Sequence, residues 1–396
     1  VGVVAMGEDR EDDREPDAEK DPERERRRPP RGLPAVAALV LLAVCAVPAR
    51  GEADRVTALS EALMRERPAS GCGDACTRSG PIVVEGREDV VLRNLRVEGA
   101  QGDCVVVRAS ARVVLEGLSL AGCGGAGVRI ENARAVVLRG LAVADTGQSG
   151  IVVDGSTDVR VEGGSIERSA SGIYAHRSRG VVVRGTWLVD AQGPAPRGQG
   201  VQLDKVAGPG NEIACTVVVS RPGRAAPEDA INLFRSEGTP ASPIRVAGNR
   251  ILGGGPSPSG GGILVGDHGG GHVQVEGNVL VDPGQYGIGV AGGTHATVVD
   301  NIVVARARPF TNVGIYVWKA AEDGGPCGHH LLAGNRVAYA RADGAANPLW
   351  VADTCAPTRA DAALVEGPAD LDPRLVLDEP ALCAAIGRRD DPLNRH

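Results

Sequence analysis

Residues 105–127, VVVRASARVVLEGLSLAGCGGAG, run directly into VRIENARAVVLRGLAVADTGQSG (128–150) and then IVVDGSTDVRVEGGSIERSASG (151–172). Written in register, the three lines repeat one pattern. Each holds three short runs of alternating β-branched or leucine residues, separated by glycine-rich bends. Runs this short are not helices, and their period of two is the signal of strands. A repeat of 22 or 23 residues with three strands fits a coil of a parallel β-helix. Leucine-rich repeats have a similar length, but their leucine/asparagine consensus is missing here. The pattern extends outward in both directions. An earlier coil begins at Ile82, and later ones at Ile173, Val201, Ile231, Ile263, Ile288 and Ile315. The expected fold is all-β: a right-handed parallel β-helix of about ten coils, with the solenoid spanning residues 82–355.

Two columns explain the bends. After the second run of successive coils come Asn94, Gly117, Gly140, Gly163, Gly185, Gly248, Gly277, Asp300 and Gly334. These are the residue types that tolerate a left-handed backbone, so a repeated αL bend is expected there. Beside it stand Asn249, Asn278, Asn301 and Asn335. Asparagines stacked about 4.8 Å apart can hydrogen-bond along the stack and satisfy turn groups, a structural role.

The flanks read differently. Residues 54–65 (DRVTALSEALMR) put Val56, Leu59 and Leu63 on one helical face, an expected N-terminal cap within residues 50–81 that covers the first coil. Residues 378–386 (DEPALCAAI) suggest a short helix in a C-terminal cap and tail, 356–396. Residues 1–49 read as a charged extension and a signal peptide. The apolar run 33–47 is short for a membrane span, and small residues place the cut near Ala49. Residues 42–45, ending at Cys45, are a poor lipobox, so a lipoprotein or an N-terminal anchor is the lesser alternative to secretion into the periplasm or beyond the cell. Eight cysteines remain, an even number that reads as disulfides in an exported chain. Cys72, Cys76, Cys104 and Cys123 near one end, and Cys327 with Cys355 near the other, suit local staples, but 105 pairings are possible in principle.

Composition agrees. Aromatic residues make up 2% of the 396 residues, there are 56 glycines, and the formal net charge is -7. An ordinary globular core is argued against, and so is nucleic-acid binding, because no basic footprint survives beyond the N-terminal segment. A monomer with no membrane span after signal cleavage is expected.

The candidate chemistry lies on one face. Early coils are minimal, whereas from Ile173 onward extra residues precede the first strand (191–200, 221–230, 253–262, 305–314) or follow it (205–211, 235–243, 319–329). Both sets bracket the first-strand sheet and should wall a groove along it. Alternation then selects what faces outward. The second position reads Val152, Tyr174, Gln202, Asn232, Leu264, Gly289 and Tyr316; the fourth reads Asp154, His176, Asp204, Phe234, Gly266, Ala291 and Trp318. At the edge follow Arg177, Lys205, Arg235, Asp267 and Lys319. Tyr174, Tyr286, Tyr316 and Trp318 can stack on sugar rings, while Gln202 and Asn232 can bond hydroxyls. Arg177, Lys205 and Arg235 can form a ladder that receives carboxylates or sulfates, and Glu228 stands at the lip.

Two reactions can be built here. A uronate lyase needs a base, His176 or Lys205, and a cation, Arg177, Arg235 or a Ca²⁺ held by acids. An inverting hydrolase needs two carboxyl groups, for which Asp204 and Asp229 lie about one coil apart. The glycine-rich run 253–262 lacks a phosphate-loop ending and reads as a wall, and Asp267 and His268 with His272 make a weak metal candidate.

The coils and the asparagine ladder resemble the pectate-lyase-like right-handed β-helix superfamily over residues 82–351. The stretch GQGVQLDKVAGPGNEI, with PEDAINLFRSEGTPASPI downstream, is also similar to a group of bacterial exported β-helix proteins. The resemblance implies an enzyme of acidic polysaccharides, lyase or hydrolase, or else a non-catalytic glycan-binding or adhesin-like solenoid. No specific catalytic motif is matched, and the paired-aspartate signature of polygalacturonases is absent.

Overall fold

A computed structural model describes residues 50–194, 197–320, 325–361 and 371–386. The signal segment expected over 1–49 lies outside the described residues. Each turn of the chain lays one strand on each of three faces. The first face runs from Ile82–Glu85 through Ile173–His176, Val201–Asp204 and Ile231–Glu237 to Leu349–Val351. The second runs from Glu88–Arg93 to Thr358–Ala360, and the third holds 11 strands from Thr77–Arg78 to Arg336–Tyr339. Neighbouring strands pair in parallel and in register, so that Ile151 faces Ile173, then Val201, then Ile231. Leu349–Val351 and Thr358–Ala360 add a rung beyond the coil at Ile315 and carry pairing past residue 355.

Alternation fixes the core. Val105, Val107, Ile151, Val153, Val201, Leu203, Ile231 and Leu233 are all fully buried inside the coils. A narrow tube of stacked Val and Ile leaves little room for rings, which accounts for the scarcity of aromatics. The αL column forms as the residue types demand: Asn94, Gly117, Gly140, Gly163, Gly185, Gly248, Gly277, Asp300 and Gly334 all have φ between 53° and 64°, and Cys215 fills the missing position at 53°.

The asparagine ladder also forms. Asn249 Nδ2 donates to Asn278 Oδ1 (2.9 Å), Asn278 Nδ2 to Asn301 Oδ1 (2.8 Å), and Asn301 Nδ2 to Asn335 Oδ1 (2.9 Å). Each Oδ1 also accepts the preceding backbone amide, as Asn278 does from Asn249 N at 2.9 Å. Asn278→Ala should therefore cost about 3 kcal/mol, since it strands buried polar groups on both sides. Chemical denaturation measures this, and a cost within experimental error would show that the ladder is dispensable.

Both terminal caps lie elsewhere than expected. The first helix, Arg50–Arg65, buries Val56, Leu59 and Leu63, but against Trp187, Val217, Leu252 and Val281 rather than over the first coil. The reason lies in the third face. Its outward positions are small or polar in early coils (Ser119, Ala121, Ala142, Ser165) and large and apolar in later ones, so the later stripe needs covering. The C-terminal Leu371 and Val376 complete that cover. The chain after the helix returns beside the early coils, where Gly71 N donates to Gly140 O (2.7 Å) and Arg67 pairs with Glu167. The second helix, Ala381–Ile386, likewise sits on the flank, with Ile386 against Ala214 and Ala247.

Four disulfides close the structure. Cys72–Cys76, Cys104–Cys123 and Cys327–Cys355 are local, whereas Cys215–Cys383 ties the tail to a middle coil 168 residues earlier. Such bonds persist in oxidising compartments. No helix among the described residues is long and apolar enough to cross a membrane.

Candidate functional site

The outward side chains of the first face form two polar groups and an aromatic end. The first group is built on Ile151–Asp154, Ile173–His176 and Val201–Asp204. His176 Nδ1 lies 2.9 Å from Asp154 Oδ1. A carboxylate only accepts, so Nδ1 carries a proton, and in the neutral ring the Nε2 lone pair is the one that can act as a base. Tyr174 and His176 alternate outward on one strand, and their rings stack at 6.1 Å. Tyr174 donates its hydroxyl to Asp204 Oδ2 (2.7 Å). Burial, reinforced by Asp204, pushes the Tyr174 phenol up to about 12, so it stays protonated. Arg197, from the wall loop 191–200, lies 4.5 Å over the Tyr174 ring and reaches Gln202 Oε1 at 3.5 Å.

The second group is deeper. Asp229 is 3% exposed and Asn232 4%. Asn232 Nδ2 donates to both Asp229 Oδ2 (2.9 Å) and Asp267 Oδ2 (3.0 Å). Asp229 Oδ1 accepts the Gly261 amide (3.0 Å) and the Tyr286 hydroxyl. Burial pushes the Asp229 carboxyl up to about 7, although its Tyr286, Asn232 and Gly261 hydrogen bonds pull the other way. Tyr286 and Tyr316 meet edge to face at 5.2 Å, and burial raises both phenols well above their ordinary value. Glu228 accepts from Ser257 Oγ (2.7 Å) and Ser259 Oγ (2.5 Å), and so ties down the 253–262 wall.

One register expectation is corrected here. The fourth outward position after Phe234 is Asp267, not Gly266, because the strand bulges: Asn232 pairs with Leu264 but Phe234 with Asp267. Gly266 takes φ of 70° at this bulge, and a Cβ there would lie 2.2 Å from Gly292 O. The extra residue turns Asp267 from the edge onto the face, where Asn232 holds it.

Arg177, Lys205 and Arg235 stack at the edge of the face in αL backbone, with φ of 47°, 53° and 47°. All three are exposed, and among the described residues none makes an ion pair with a carboxylate, although the Arg235 guanidinium lies 5.1 Å over the Phe234 ring. On the face itself, in earlier coils, arginines are paired: Arg108 with Glu131 (2.8 Å) and Arg129 with Asp103 (2.6 Å). Lys319 is not part of this edge, because its Nζ donates to Gly325 O (2.8 Å) within its own loop. At the far end, Trp318 stacks on Trp350 with ring centroids 6.2 Å apart.

Four contributors escaped the sequence reading. Asp154 stood in the outward column but lacked a reason to be preferred. Trp350 belongs to a rung not recognised in the repeat, Arg197 reaches in from a loop, and Asp267 was placed at the edge. Two buried acceptors, Asp204 Oδ1 and Asn232 Oδ1, face no donor among the described residues. The described residues contain no cluster of three or more His, Cys, Asp or Glu side chains arranged to hold a metal ion. The nearby carboxylates are instead directed at Tyr174, His176 and Asn232.

Residues 81–225 match the family described as "Right handed beta helix region". Among solved structures, the catalytic unit of a GH87 alpha-1,3-glucanase from Streptomyces thermodiastaticus is 14% identical, with a TM-score of 0.43, over 72% of this chain and 52% of that one. An alginate lyase from a Paenibacillus species is 14% identical, with a TM-score of 0.34, over 62% and 92%. A surface adhesin of Streptococcus pneumoniae is 8% identical, with a TM-score of 0.37, over 70% and 78%. The chain thus spans about half the length of the glucanase unit, and these likenesses extend to the fold alone. No curated protein sequence matches the chain.

Proposed function

Taking the chain as a right-handed parallel β-helix protein, we propose that its first face binds an extended uronate-containing polysaccharide and cleaves it by β-elimination. The observation that carries this reading is the His176–Asp154 pair lying beside a column of exposed cations, Arg177, Lys205 and Arg235. In the reaction, His176 Nε2 takes the proton from C5 of a uronate. Arg177 and Lys205 neutralise the carboxylate, which makes that proton acidic. The electron pair forms the C4=C5 double bond and the C4–O bond breaks. Tyr174, protonated up to about pH 12, supplies the proton for the leaving oxygen. Both residues are reset through solvent.

Asp204 holds Tyr174 in place, while Asn232, Asp229 and Tyr286 support the floor from below. Gln202, part-exposed on the same strand as Asp204, faces sugar hydroxyls. Localisation outside the cytoplasm suits such a polymer.

The purified protein should release products with the ultraviolet absorbance of an unsaturated uronate from at least one uronate polymer. Arg177→Ala, Lys205→Ala and Arg235→Ala combined should raise KM and flatten its salt dependence, because an exposed cation column acts through long-range attraction. New reducing ends without unsaturated product would replace elimination with hydrolysis. Binding without turnover would make the protein a glycan-binding solenoid.

A further inference from the structure

Of the chain's three tryptophans, Trp187 is buried under the first helix, whereas Trp318 and Trp350 are 41% and 47% exposed. An exposed tryptophan is unusual in so aromatic-poor a chain, and here two of them stack with planes 28° apart. Both project from the same outer face as His176, on the strands Val313–Val317 and Leu349–Val351 and their continuations. The rung just before the pair is kept low. Gly289 has no side chain, and a Cβ there would lie 2.5 Å from the Tyr316 ring, which covers that position. Ala291 follows it.

The strand bearing His176 is separated from Val313–Val317 by five successive parallel pairings. At roughly 4.8 Å per rung, the Trp pair begins about 24 Å from His176 along the stack. A pyranose unit is roughly as long as one rung, so about five sugars separate the two places.

We propose that Trp318 and Trp350 form a distal subsite that stacks on pyranose rings of the polymer engaged at His176, so that this protein selects long chains over short oligosaccharides. The inference rests on the groove reading above and adds a length requirement to it. Apolar ring faces of the sugars cover the indoles, while the uronate carboxylates follow the cation edge nearer His176.

Oligouronates of four and of eight or more units, and neutral oligosaccharides of the same lengths, are titrated into the full-length protein with tryptophan fluorescence and calorimetry. Because Trp187 is buried, a fluorescence change reports the exposed pair. Long oligouronates should change the fluorescence and bind tighter than tetramers. Trp318→Ala with Trp350→Ala should weaken the long oligomers about tenfold to a hundredfold and leave tetramers unaffected. Equal fluorescence changes with both lengths, or an unaltered affinity of the double variant for long oligouronates, would overturn the subsite. If neutral oligomers bind in a Trp-dependent way and uronates do not, the subsite stands and the acidic substrate falls. If no oligosaccharide binds, both fall.

Discussion

Replacing His176 by alanine is expected to lower turnover on a uronate polymer by about two to four orders of magnitude, the usual contribution of a positioned general base. Stability should barely change. His176 points outward from its strand, and the inward neighbours Ile173 and Ala175 carry the packing. Asp154→Asn should act on the same step more mildly. The asparagine carbonyl still accepts the Nδ1 proton, but it no longer offers a negative charge to the imidazolium formed when Nε2 takes the proton. Initial rates of unsaturated product, with thermal unfolding as the control, decide this. If His176→Ala retains full turnover while Lys205→Ala loses it, the base is the lysine and the dyad only orders the groove.

The second large effect concerns Asp229 and appears in stability as a function of pH. Its carboxyl is pushed up to about 7 by burial, against 3.8 for an ordinary aspartate. A folded-state value above the unfolded one means that the native state holds the proton longer. That contribution is complete below about pH 4 and is lost as pH rises to about 7, after which it changes no further. The loss is on the order of a few kcal/mol. Asp229→Asn removes the titration, so wild type should lose stability relative to the variant between these limits. The variant also alters the hydrogen bonds to Asn232, Gly261 and Tyr286, which shifts its absolute stability, so the slope difference is the diagnostic. Denaturant unfolding at several pH values measures it. Parallel curves for the two proteins would mean that Asp229 does not change its charge in this range.

The legible part of this protein was whatever recurs at each coil. Ile151, Ile173, Val201 and Ile231 had to face inward because a strand alternates, and parallel stacking puts like on like. Gly117 or Gly248 at the bend, and Asn278 beside it, answer demands made by backbone geometry and by buried amides, which are the same at every rung. The outward residues Tyr174, His176, Gln202 and Asp204 followed from the same alternation. Their partnerships did not follow, because hydrogen bonds between rungs depend on side-chain rotamers and loop lengths that carry no period. Asp154 and His176 are neighbours in one column, yet only the folded chain turns their polar ends together.

The sequence by itself therefore determined the solenoid, its core columns and the face on which chemistry is to be sought, since each is a local rule repeated many times. The tertiary structure alone decided where the helices dock, which coil Cys383 reaches, that a bulge at Gly266 brings Asp267 beside Asn232, and that Trp350 lies bare beside Trp318. These depend on single, non-repeating encounters between segments distant in the chain. The apolar stripe, the bend or the bare ring that settles each of them exists only once the coils are stacked.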